Sequence, residues 1–94
     1  MINKINVRSC CGNKAFIFES QKPVKKNHLD SFEKAGYIIP KQFSNVGLFY
    51  VQNSGLIATA SFGSTRVQVR CSGNNCEELL KKFELLLDEV LKNL

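Results

Sequence analysis

The chain has 94 residues and a mass of 10.6 kDa, with 44% hydrophobic and 22% charged residues. That suits one domain over residues 1–94 with a single core, and the mix is too apolar for a disordered chain. Thirteen Lys and Arg against eight Asp and Glu give +5. No run of about 18 apolar residues could span a membrane, and no signal peptide is apparent near the N-terminus, so a cytoplasmic protein is expected.

Residues 2–9 alternate weakly, as a short strand would. Cys10-Cys11-Gly12-Asn13 is a turn signal, and Ala15-Phe16-Ile17-Phe18 is a compact apolar run of high strand propensity. Together they predict a hairpin, with residues 1–13 as an N-terminal arm. Pro23 marks a loop. A first helix is predicted from Asn27, a good N-cap, with Asp30 suited to the exposed amides of the first turn. Leu29, Phe32 and Ala35 form its apolar stripe, and Gly36 is its natural stop.

Tyr37-Ile38-Ile39 predicts a short edge strand broken by Pro40, whose missing N–H an edge tolerates. Residues 46–51, 56–61 and 65–71 predict three further strands, with turns at Gln52-Asn53-Ser54-Gly55 and Phe62-Gly63-Ser64. The last strand alternates cleanly. Val67, Val69 and Cys71 share one face, and Arg66, Gln68 and Arg70 share the other, as expected for one buried and one open face.

The final helix has the strongest signal. Asn75 can cap it, and Glu78 occupies the capping-box position. Leu79, Leu80, Phe83, Leu86, Leu87, Val90, Leu91 and Leu94 follow helical spacing, with Lys81, Lys82, Glu84, Asp88 and Glu89 on the wet side. So wide an apolar stripe needs a sheet to cover. The fold class is therefore α+β: a curved antiparallel sheet with two helices on one face, built from a β-α-β-β-β-β-α unit over 14–94 and an extra N-terminal strand. The opposite sheet face has no helix to cover it.

This order resembles one half of the saddle of the TATA-box-binding protein family, over about residues 15–90. Tyr37 followed by Pro40-Lys41-Gln42-Phe43 resembles the family's Tyr-x-Pro-Lys-x-Phe stretch, one residue longer. Leu56-Ile57 falls where the family has an apolar pair, and Ser72-Gly73 closes the last strand before the long helix. Phe43 aligns with a wedge Phe of the family, whereas Ala58 stands in place of the second. The resemblance implies a half-saddle, a homodimer to rebuild the saddle, and nucleic acid as the partner. The same fold also serves as a nucleic-acid-binding appendage in some ribonuclease H enzymes.

The charge pattern points the same way. Lys4, Arg8, Lys14, Lys22, Lys25 and Lys26 face only Glu19 in the first 27 residues, whereas the C-terminal helix is acidic. A localised basic surface attracts polyanions. Arg66 and Arg70 on one strand suit successive phosphates, and Gln68 between them can bond a base edge or sugar. Phe49, Tyr50 or Phe62 can supply a stacking surface, the register deciding which. Lys41 and Phe43 join this candidate site through the family-like stretch. Lys22, Lys25 and Lys26 are candidates to grip phosphate at the first helix's N-terminus, against a plain solvated loop.

The cysteines are Cys10, Cys11, Cys71 and Cys76, with no CxxC pair. Pairing of the first main strand with the last would bring all four to one corner. A tetrathiolate metal site, one or two disulfides and unlinked thiols all remain open, with unlinked thiols the expectation and no metal assigned. Cys76 at a helix start has the setting of a reactive thiolate, and His28 reads as a surface or capping residue.

No Walker loop, paired carboxylates or Ser-His-Asp set is present, so no enzyme and no cofactor are expected. The expected function is a small non-catalytic nucleic-acid-binding protein, working as a homodimer through the open sheet face on DNA or RNA and losing affinity as salt rises. The alternatives are a protein-interaction or adaptor module, of the kind phages and mobile elements encode, and a thiol or zinc sensor.

Overall fold

The computed structural model describes residues 2–7, 14–73 and 75–93. The strands are β1 (Asn3–Val7), β2 (Lys14–Glu19), β3 (Leu48–Asn53), β4 (Leu56–Ser61) and β5 (Arg66–Cys71). They form one open antiparallel sheet in the order β1-β2-β5-β4-β3. The helices are α1 (Leu29–Lys34), led in by a 3-10 turn at Lys26–His28, a four-residue α2 (Lys41–Ser44), and α3 (Cys76–Asn93). The predicted α+β class is the observed one. No helix among the described residues is long and apolar enough to cross a membrane.

Period-two alternation decides which sheet face is buried. Phe18, Val67, Val69, Cys71, Leu56, Ala58, Phe49 and Val51 are buried on the face that α1 and α3 cover. The register keeps them in phase, with Phe18 opposite Val67, Ala58 opposite Val69, and Val51 opposite Ala58. A slip of one residue would expose the whole set. Leu80, Phe83, Leu87, Val90 and Leu91 of α3 close the layer from above. At its centre Phe83 lies 5.7 Å from Phe18, 5.6 Å from Phe32 and 6.1 Å from Tyr37, ring centre to ring centre.

Four local expectations are revised. The strand predicted at Tyr37-Ile38-Ile39 is a single bridge, Ile38 with Gln52, on the outer edge of β3. Pro40 ends the pairing there, and the chain turns into α2 instead. The strand predicted from Val46 begins at Leu48, because Gly47 takes a left-handed φ of 84° that redirects the chain, leaving Val46 at an exposed turn. Asn27 does not cap α1. It lies within the 3-10 turn, whose own start is capped by the side chain of buried His28: its Nδ1 accepts the Lys25 amide at 2.9 Å. Burial, reinforced by the Lys25 charge, lowers the His28 pKa, so the neutral ring that can accept this bond is favoured. Ala35 is exposed rather than part of the α1 stripe.

Candidate nucleic-acid interface

The face of the sheet opposite the helices is laid out by the register. Its middle row runs Ile5, Ile17, Gln68, Thr59, Tyr50 across all five strands. A row toward one end aligns Asn3, Glu19 and Arg66, and a row toward the other aligns Ala15, Arg70, Ile57 and Gln52. Because β5 is the central strand, Arg66, Gln68 and Arg70 lie along the midline of this face, and all three are exposed. Alternate residues on a strand stand on the order of 7 Å apart. The arginines therefore bracket the Gln68 amide with one cation on each side.

The two arginines are not equivalent. The Arg66 Nε donates to the Glu19 Oε2 across the β2–β5 pair at 3.1 Å, and the Asn3 Nδ2 donates to the other Glu19 oxygen at 3.4 Å. Glu19 thus neutralises Arg66 in place. Arg70 sits opposite Ala15 and Ile57, and makes no ion pair among the described residues. The net charge of the face is therefore carried at the Arg70 end.

Of the three aromatic candidates, Tyr50 is the one on the open face. Phe49 points into the core and is fully buried, and Phe62 packs against the core edge. Tyr50 shares the open face with Thr59 and Gln68, and the ring of Phe43 from α2 stacks on it, with centroids 4.5 Å apart and planes 18° apart. Phe43 therefore belongs to the open face, and exposed Lys41 begins the helix that carries it.

The remaining sequence candidates do not join this face. Lys22, Lys25 and Lys26 lie on the connection from β2 to α1, which runs beside the β4–β5 turn through the Val24–Ser64 and Gly63–Val24 backbone bonds. Lys22 and Lys25 line a shallow hollow of about 130 Å³ with Pro23, Asn27 and His28. Phosphate capture at a helix N-terminus is not built there, since α1 has only six residues and the Lys25 amide is already spent on His28.

Cys71 and Cys76 are joined by a disulfide between the end of β5 and the start of α3, with Cα atoms 5.6 Å apart. This corrects the expectation of unlinked thiols for this pair, and with it the free thiolate at Cys76. The turn at Gly73, with φ 100°, folds the chain back within five residues, inside the Cα separation a disulfide requires. Cys10 and Cys11 lie outside the described residues. No cluster of three or more metal-ligating side chains occurs among the described residues.

On the helix side, an open groove of about 800 Å³ separates β1 from α3 and is lined by Lys4, Phe16, Glu78, Lys81 and Glu84, among others. The Lys4 ammonium rests 5.1 Å from the Phe16 ring centre. Its acids and bases are mixed among the described residues, unlike the Arg66, Gln68 and Arg70 line of the opposite face.

Sequence reasoning missed the roles of Glu19 and Asn3, the Ile5 and Ile17 pair, and the Phe43–Tyr50 stack. One signal was available for Glu19: it is the lone acid among seven ionised side chains in the first 27 residues. No protein-family model, curated protein or solved structure matches the chain, so the function is argued from these side chains.

Proposed function

We propose that the protein is a small non-catalytic nucleic-acid-binding protein that uses the open sheet face. The observation that carries this reading is the line of Arg66, Gln68 and Arg70 along the central strand of a five-stranded face that α1 and α3 leave open. Guanidinium groups pair with phosphate oxygens, and a carboxamide between them has both a donor and an acceptor for a base edge or sugar. The stacked Phe43 and Tyr50 add the aromatic surface that polynucleotide-binding sheets use. The half-saddle reading, with its likeness to the TATA-box-binding family, suits the same face.

Among the described residues the outer edge of β1 has no partner strand, whereas β3 is partly covered by the Ile38 bridge. We take β1 as the edge through which a homodimer would continue the sheet. The test of function is binding of labelled DNA and RNA oligonucleotides at low salt. Arg70→Ala is expected to weaken binding without changing the melting temperature. Absence of binding to every oligonucleotide would remove the proposal.

A further inference from the structure

We infer that the preferred ligand of this face is a single-stranded polynucleotide, with one base stacked on Tyr50. The inference rests on the nucleic-acid reading above and adds the substrate class. A duplex offers mainly phosphates to a flat surface, and binding it well takes many cations. Among the described residues, this face has one guanidinium without an ion pair, Arg70, while Arg66 is held by Glu19. It offers instead apolar and aromatic area: Ile5, Ile17 and Ile57, with Tyr50 and Phe43 beside them. A single strand exposes base faces that match such a surface, since every base has a π-face and the stacking needs no particular sequence.

The geometry gives the strand a path. With a phosphate at Arg70 on β5, a base extends across Gln68 and Thr59 toward Tyr50, two strand spacings away, on the order of 10 Å. Gln68 and Thr59 are aligned with Tyr50 in one row, so polar groups for a base edge lie between the phosphate and stacking positions. Phe43 covers one side of the Tyr50 ring and holds its plane. The ring is thereby fixed before a base arrives, which lowers the ordering cost of binding.

The test measures anisotropy of labelled oligo(dT), oligo(rU) and a duplex of equal length with the full chain at low salt. At least one single strand is expected to bind about tenfold or more tightly than the duplex, the two arms reporting whether the sugar matters. Tyr50→Ala is expected to weaken single-strand binding roughly 5- to 150-fold, and Tyr50→Phe to keep it within about twofold. Should Tyr50→Ala not fold, the wild-type tyrosine emission decides: binding quenches it, and Tyr50→Phe, which leaves only buried Tyr37, removes the quench. Equal or tighter binding of the duplex would overturn the inference and leave the nucleic-acid reading standing, as would unchanged affinity in a folded Tyr50→Ala variant or an absent quench. Binding of no oligonucleotide would overturn both.

Discussion

Glu19→Gln separates the two arginines of the open face. In the native chain Glu19 cancels Arg66, so the proposed binding is expected to neutralise about one phosphate, at Arg70. For a single strand the logarithm of affinity falls with the logarithm of salt at about 0.7 per phosphate, so raising salt fourfold should weaken native binding only about 2.6-fold. The substitution keeps the shape and removes the charge. Arg66 then becomes available to a second phosphate, the slope doubles to about 1.4, and the same salt step should cost about 7-fold. Affinity at low salt should rise. Stability should hardly move, because the Arg66 side chain is 64% exposed and that of Glu19 33%; such pairs contribute at most about 1 kcal/mol. Anisotropy titrations of oligo(dT) at several salt concentrations measure the slope, and a thermal melt checks the fold. An unchanged slope, or weaker binding at low salt in a folded variant, would refute the assignment of Arg66 to phosphate contact.

Phe83→Ala removes the ring that joins Phe18, Phe32 and Tyr37 at the centre of the core, and is expected to cost about 3–5 kcal/mol of a total near 5–14 kcal/mol; urea melts with an unchanged m-value measure it. Reduction of the Cys71–Cys76 bond should cost about 2 kcal/mol through the short loop it closes, lowering the melting temperature by roughly 8–16 °C, whereas the Cys71→Ala/Cys76→Ala double variant should melt alike with and without reductant. His28 has a lowered pKa in the folded chain, so the unfolded chain takes up the proton first. Its contribution is complete above about pH 6.5 and is lost as pH falls through the folded value. Melting temperatures across that range should show the loss in the native chain and a smaller loss in His28→Asn.

Much of the architecture was legible in the residues. The stripe from Leu80 to Leu91 and the alternation of Val67, Val69 and Cys71 each require one buried face, and a helix stripe and a sheet face of matching length cover each other. The antiparallel pairing of β1 with β2 was expected from a weakly alternating stretch followed by the apolar run at Ala15–Phe18, and the turn expected at Cys10–Asn13 lies outside the described residues. The site was legible only along β5, because alternation within a single strand places Arg66, Gln68 and Arg70 on one side without reference to any neighbour. The rest of the open face needed partners. Tyr50 was separated from Phe49 only by its pairing with Thr59, and Phe43 reached Tyr50 through a four-residue helix too short to announce itself in sequence.

Periodicity along the chain alone determined which side of each long element faces the core, since that depends on local geometry and the hydrophobic effect. Register and turns between elements decided the electrostatics. Glu19 lies 47 residues from Arg66, and only the β2–β5 ladder brings them to a hydrogen bond. The same holds for the cysteines, whose spacing left a disulfide as one of three open readings until the Gly73 turn set the start of α3 against the end of β5. The +5 charge belongs to the whole chain. Which cation on the face stays free for a ligand was settled by contacts that sequence separation conceals.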